Sequence, residues 1–181
     1  MISFETEHLF IRRFLDTDWQ DLYEYLSKPE VVKYEPYDIF TKEQAKQEAA
    51  SRAKLECFYG VCRKTNGKLI GNIYLQKDDF DTWELGYVFN SSFQKRGYAT
   101  EAAKKMIGVA FGIWGARRII AMCNPDNHSS WKLLERLGMR REGTLLQNIY
   151  FKTDENNDPV WLDTYEYGIL KTEWEIINSI F

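Results

Sequence analysis

Gln94, Lys95, Arg96, Gly97, Tyr98, Ala99, Thr100 and Glu101 make a basic turn with one glycine, set between a strand-like run at 85–89 and a helix-like run at 99–114. This combination suits the gripping of phosphate. A glycine lets the chain turn tightly and lets a ligand come close to the backbone. The first amides of a helix have no acceptor inside it and can point at an anion. The helix dipole adds roughly half a positive charge at the same end. Lys95 and Arg96 bring full charges beside it. A glycine in a basic turn is also an ordinary strand-to-helix connection, so the turn alone does not decide the chemistry. Neither G-x-x-x-x-G-K-[ST] nor a G-x-G-x-x-G after a strand occurs, so any phosphate held here sits in a loop unlike those of the common ATPases and dehydrogenases.

The elements that must position this turn can be read along the chain. Residues 9–14 alternate as a first strand. Thr17-Asp18-Trp19-Gln20 reads as a capping box opening a helix to about residue 26, and Thr41-Lys42-Glu43-Gln44 as a second, with a helix to about 55. Pro29 and Pro36 break the segment between them. Residues 58–64 and 68–76 flank Asn66-Gly67, a hairpin signal, and 83–89 follow as an antiparallel strand. Ala99, Ala102, Ala103, Met106, Ala110, Ile113 and Trp114 recur at helical spacing, with Gly115 as a stop signal. A strand at 118–123, a short helix at 130–137 ended by Gly138, and strands at 140–151 and 160–169 complete the chain. An acidic loop with Asp154, Glu155 and Asp158 joins the last two. The order β-α-α-β-β-β-α-β-α-β-β predicts a mixed α/β domain, hairpins first and strand-helix-strand crossovers after.

Composition narrows the function classes. The chain has 181 residues, enough for one domain (1–181) with a substantial core. Its net charge of −3 supplies no strong basic field, which argues against nucleic acid as a partner. Cys57, Cys62 and Cys123 are odd in number and lack C-x-x-C spacing, which points to a reducing cytosol. With only His8 and His128 present, no metal site is expected. No signal peptide and no apolar run of membrane-spanning length is read, so a cytoplasmic protein without membrane contact is expected.

The motifs together resemble the GNAT superfamily of acetyl-CoA-dependent N-acetyltransferases, and within it the branch of the ribosomal-protein N-terminal acetyltransferases RimJ and RimL. Thr6-Glu7-His8-Leu9-Phe10-Ile11-Arg12 is similar to the branch's T-E-R-L-x-L-R opening, with His8 in place of arginine. Glu84-Leu85-Gly86-Tyr87, then Gln94-x-x-Gly97-x-Ala99-Thr100-Glu101-Ala102, resemble the central strand and the [QR]-x-x-G-x-[GA] pyrophosphate loop. The run from Asn127 through Ser130 to Gly138 and Met139 resembles N-x-A-S-x-R-L-L-E-K-L-G-F, and Glu142-Gly143 with Asp163-x-x-Glu166-Tyr167 completes the series. The resemblance covers nearly the whole chain. It implies a central, mostly antiparallel twisted sheet flanked by helices, acetyl-CoA as co-substrate without a metal, and an amine acceptor.

The same resemblance distributes roles. Backbone amides around Gln94, Arg96, Gly97, Tyr98, Ala99 and Thr100 would hold pyrophosphate, with Lys95 and the Tyr98 ring as possible bystanders. The exposed backbone of Tyr87, Val88 and Phe89 would pair with pantetheine, while their side chains serve the core. Asn127 would bind the pantetheine arm or cap the helix that it precedes. Transfer needs a neutral amine beside a thioester carbonyl. Glu84 shares a strand face with Gly86 and Val88, so it is a candidate base, or else a surface carboxylate. Many members protonate the leaving thiolate with a tyrosine, but that position is Leu134 here; the branch's candidate is Ser130, whose other reading is a helix cap. Tyr34-Glu35-Pro36-Tyr37-Asp38 and the acidic loop at 154–158 border the acceptor groove in this family or are simply solvated. The acceptor is a protein α-amine, a polyamine or an aminoglycoside. Trp19, Tyr23, Tyr34 and Tyr37 fit either core packing or a homodimer contact. A non-catalytic acyl-CoA sensor would carry the same cofactor motifs.

Overall fold

In the computed structural model, which describes residues 3–179, the chain runs β1 (Ser3–Glu5), β2 (Leu9–Arg13), α1 (Trp19–Leu26), α2 (Pro29–Val32), α3 (Lys42–Lys54), β3 (Phe58–Arg63), β4 (Leu69–Lys77), β5 (Thr82–Phe89), α4 (Tyr98–Gly112), β6 (Arg118–Cys123), α5 (His128–Arg136), β7 (Arg140–Thr153), β8 (Pro159–Leu170) and α6 (Lys171–Ser179). The strands form one eight-stranded sheet in the order β1-β2-β3-β4-β5-β6-β8-β7. Every neighbouring pair is antiparallel except β5 and β6. That parallel pair needs a crossover, and α4 provides it.

Strand alternation sorts the two faces of the sheet. Leu9 and Ile11 of β2 and Leu85 of β5 join one core with Ala102, Ala103, Met106 and Ala110 of α4 and Leu133 and Leu134 of α5, all 5 % exposed or less. The alanines let α4 lie close to the sheet. Leu22, Tyr25 and Leu26 of α1 and Ala49 of α3 cover the other face with Phe14 and Leu69, and Val88 packs on them. Thus Trp83, Tyr87 and Phe89 look towards α4, while Glu84, Gly86 and Val88 look towards α1 and α3. Each fully buried aliphatic side chain contributes about 1.5–3 kcal/mol relative to exposure.

The second capping box forms as read: the Thr41 hydroxyl accepts from the Gln44 amide at 3.3 Å, and the Gln44 side chain accepts from the Thr41 amide at 2.8 Å. The first does not. Asp18, not Thr17, is the acceptor there. Its carboxylate takes the Leu15 amide at 2.8 Å and a two-pronged ion pair from Arg12 at 2.7 Å on each arm, and residues 16–18 form a turn of 3-10 helix ahead of α1. Three elements go beyond the sequence reading. β1 pairs Phe4 with Ile11. Pro29, read only as a breaker, occupies the first turn of α2, where a missing amide costs nothing. α6 follows β8 with no breaker between them; Glu173 accepts the Leu170 amide at 2.8 Å, and Trp174 packs on Phe111 at 6.1 Å.

Candidate active site

The parallel pairing of β5 with β6 lasts for three rungs, Thr82 with Arg118, Trp83 with Ile119 and Glu84 with Ile120. Beyond Glu84 the strands part. β5 stays bonded to β4 as far as Phe89, so its edge towards β6 from Leu85 to Phe89 is left without a strand partner. Tyr87, Val88 and Phe89 belong to this stretch of β5.

The basic turn follows directly. Gly97 caps α4 in the left-handed region, with φ of +80°. Lys95 is also left-handed, with φ of +60°. No side chain caps α4, and the first amide bonded into it is that of Glu101, to the Gly97 carbonyl at 2.9 Å. The amides of Tyr98, Ala99 and Thr100 therefore lack an acceptor within the helix. A Cβ built on Gly97 would meet nothing within 4 Å. The turn thus presents open space, free donors and the positive end of a 15-residue helix. Gln94, Lys95 and Arg96 are exposed. The Arg96 and Arg63 guanidinium groups both stack on the Phe93 ring, at 5.8 and 5.5 Å. Arg63 is thus a further cation beside the turn, contributed by β3 from 31 residues upstream and invisible to local motif reading. Tyr98 packs against the core and lies 6.1 Å from the His8 ring.

At the open end of the gap, Asn127 is the N-cap of α5, its side-chain oxygen accepting the Ser130 amide at 3.2 Å. The capping alternative for Asn127 is therefore realised, and its amide nitrogen remains for another acceptor. With the cap supplied by Asn127, the Ser130 hydroxyl does other work. It lies 2.9 Å from the Tyr87 hydroxyl, which also donates to the Ser130 carbonyl at 3.1 Å. Burial pushes the Tyr87 phenol well above the usual range, so it keeps its proton. Burial likewise lifts the Cys123 thiol, a neighbour of the Ser130 hydroxyl, to about 11. Leu134 is 1 % exposed and belongs to the core. The Tyr87 hydroxyl as a partner of Ser130 had no sequence signal, because alternation reveals a face and not the group that a side chain reaches.

Glu84 stands at the last paired rung, on the face opposite Tyr87, and joins neither Tyr87 nor Ser130. Burial first, and Asp78 second, raise its pKa. A second carboxyl with a raised pKa lies in the loop between α2 and α3. Tyr34 in that loop donates to the Asp126 carbonyl at 3.0 Å, spanning to the turn that carries Asn127. The neighbouring Glu35 is partly exposed but so enclosed by protein that burial pushes it up to about 7, against the pull of the Tyr37 hydroxyl and the Arg52 guanidinium. Arg52, 3 % exposed, is held by Glu48 at 2.7 Å and by Asn72 at 3.0 Å, and Asn72 also accepts from Tyr25 at 2.9 Å. Tyr37 packs edge-on against Phe40, and Trp19 and Tyr37 lie on the second core.

The acidic segment at 34–38 is joined to β7 by an ion pair between Asp38 and Lys152, 2.9 Å long. Asp154 is less available than its charge suggests. Its carboxylate accepts the Asn156 and Asp158 amides at 2.8 and 3.0 Å and so builds the turn between β7 and β8. Among the described residues, no helix is long and apolar enough to cross a membrane.

Residues 8–140 match the family model described as an acetyltransferase (GNAT) domain. The chain belongs to the GNAT acetyltransferases, a family of enzymes that use acetyl-CoA. It is 38% identical to the uncharacterized N-acetyltransferase YnaD of Bacillus subtilis, over 93% of this chain and 97% of that one. A GNAT-family acetyltransferase from Bacillus anthracis superposes with a TM-score of 0.85 at 34% identity, over 94% of this chain and 99% of that one. A ribosomal-protein-S5-alanine acetyltransferase from Vibrio fischeri gives a TM-score of 0.78 at 25% identity, over 96% and 99%.

Proposed function

We propose that this protein transfers the acetyl group of acetyl-CoA to a primary amine by direct attack within a ternary complex, and that it belongs with the RimJ and RimL branch. The parting of β5 and β6 just before an uncapped, glycine-led helix carries this reading. Pyrophosphate sits on the amides of the turn at 94–100, with Arg96 and Arg63 beside it. Pantetheine lies along the open edge of Tyr87, Val88 and Phe89 and takes a hydrogen bond from the Asn127 side-chain amide. Holding thioester and amine in line supplies about 7–11 kcal/mol of the lowering of the barrier. The amine nitrogen attacks the thioester carbonyl carbon, the carbon–sulfur bond breaks, and the thiolate leaves. Ser130 donates to the thiolate, with the Tyr87 hydroxyl 2.9 Å from its oxygen to hold it in place. Removing the amine's proton needs a carboxylate lifted towards neutrality, and two have been lifted, Glu84 and Glu35.

The acceptor is an amine that arrives protonated: an α-amine of a protein, as the likeness to the S5-alanine enzyme suggests, or a small polyamine or aminoglycoside. Calorimetry with acetyl-CoA, followed by an amine screen read by product mass, tests the reading. Binding of acetyl-CoA with one acetyl mass added to an amine is expected. A purified, folded protein with no affinity for acetyl-CoA would overturn it.

A further inference from the structure

We propose that the acceptor is the amino-terminal segment of a polypeptide, bound as an added strand along the inner edge of β8 at 159–164, with its α-amine delivered to the end of β6. The inference rests on the acetyl-transfer reading and names the acceptor that this reading leaves open. β8 has 12 residues, but β6 pairs only with residues 165–170. From 159 to 164, no strand among the described residues lies on that side of β8. A sheet edge of this kind takes an extended peptide through main-chain hydrogen bonds. The hairpin has another free edge, the outer side of β7. That edge is broken by register shifts after Arg141, Leu145 and Tyr150, and in each the extra residues lie in β7. Bulges blunt an edge against pairing. Their partners on β8 run on without an inserted residue. The regular edge is thus the inner one, and it continues the line of β6.

Direction and surroundings fit an amino terminus. β6 runs antiparallel to β8 and ends at Cys123, opposite Tyr165. A peptide antiparallel to β8 runs the same way as β6. Its first residue then lies at the end of β6, and its later residues head for the acidic tip at 154–158. Cys123, Tyr167 and Ile169 join the core under α4, so alternation turns Met122, Glu166, Leu162 and Val160 to the other face, the face of Glu84. Elsewhere α1 and α3 cover that face, but their core holds no described residue of β6, β7 or β8. Met122 is therefore 47 % exposed on an interior strand, and Val160 is 45 % exposed. Ile149 pairs with Leu162 and extends this apolar strip. The loop between α2 and α3 bounds it, bonded through Tyr34 to Asp126 just beyond β6 and through Asp38 to Lys152 of β7. Such a strip asks for apolar side chains at every second position of the peptide. Glu166, in register with Met122, and Glu84 on the same face give the α-ammonium its counter-charge. Glu155 and Asp158 favour basic residues further along. A polyamine or an aminoglycoside has no use for the strip or for the edge.

The test supplies acetyl-CoA with a hexapeptide that has a free α-amine, valine at every second position and arginine at its end. The dipeptide amide of its first residues, spermidine and an aminoglycoside are compared with it. The hexapeptide is expected to exceed the dipeptide in kcat/KM about tenfold or more, mainly through KM. N-methylation of one alternate set of its amides should remove the gain, and of the other set should leave it, because only one set points at β8. Val160→Arg should raise KM for the hexapeptide about tenfold with kcat within twofold; thermal melts confirm folding. Sedimentation velocity of both proteins tells whether a second copy holds the edge. A dimer that Val160→Arg splits overturns the proposal. So does a hexapeptide no better than the dipeptide, or one that keeps its gain with either set methylated. Spermidine or the aminoglycoside as the preferred acceptor also overturns it and leaves the acetyl-transfer reading standing. A protein that binds acetyl-CoA and acetylates none of these amines removes the transfer reading and the acceptor strand together.

Discussion

At the scale of the residue, Gly97 and Ser130 are the sharpest test points. Gly97→Asp puts a carboxylate into the open space before α4, against a backbone that L-residues adopt at a cost of about 1–2 kcal/mol. The fold should survive, while acetyl-CoA affinity falls at least tenfold; calorimetry on the folded variant reads it, and an unchanged Kd would remove the turn from the site. Ser130→Ala should slow single-turnover transfer without altering acetyl-CoA binding, and Tyr87→Phe should slow it less, because the serine hydroxyl remains. Equal rates in all three proteins would make Ser130 and Tyr87 a packing pair. Gly97 was legible in the sequence because a tight turn from strand to helix favours glycine. The Tyr87 hydroxyl and Arg63 were not. Each acts through a contact formed only when distant strands and helices come together, and neither lies in a local motif.

Among elements, the turn between β1 and β2 is stitched to α4 by one carboxylate. Glu101 accepts from the Thr6 hydroxyl at 2.5 Å, from the His8 amide at 2.8 Å, and lies 3.1 Å from the His8 ring. Burial alone would raise its pKa, but these partners together draw it below the ordinary value. A carboxylate with a lowered folded-state pKa contributes stability that is present above its unfolded pKa, about 4.3, and is lost as pH falls through the folded value. Glu101→Gln should therefore melt lower than wild type at pH 7, and the gap should narrow below pH 4.5. Parallel melting curves would expose the idea as wrong. The Arg12–Asp18 pair is deeper, 16 % and 8 % exposed on its side chains. Asp18→Ala leaves a guanidinium alone there and should cost about 3 kcal/mol in urea unfolding. The long periodic helices and the Asn66-Gly67 hairpin were legible because hydrophobic spacing and turn chemistry agree there. Asp18 was misread as an ordinary member of a Thr17 box because its partner Arg12 lies on the preceding strand. β1 has three residues, too few for a period, and α6 starts without the break that usually marks a helix.

For the whole molecule, charge and topology set two expectations. The tip between β7 and β8 is acidic, but Asp154 holds the turn together. Only Glu155 and Asp158 can be neutralised without rebuilding it. Glu155→Gln with Asp158→Asn should raise the KM of a cationic acceptor and flatten its dependence on salt, which screens such fields over about 10 Å at 0.1 M. KM for acetyl-CoA should stay put. Steady-state kinetics at two salt concentrations decide it, and an acceptor KM indifferent to both changes means that the tip only meets water. The topology carries the other expectation. A sheet of eight strands holds one seam that its own backbone does not close, between β5 and β6. Amides on that edge trade hydrogen for deuterium with the solvent, while their neighbours bonded to β4 are shielded. On the proposed reading, a guest chain of amide groups laid into the seam would act as a ninth strand. Its arrival should slow exchange at Tyr87 and Phe89 first, whose amides alternate away from β4, and at 100 times Kd it adds about 2.7 kcal/mol to the whole fold. The empty enzyme is then an unfinished sheet, and substrate completes its architecture before any bond is broken.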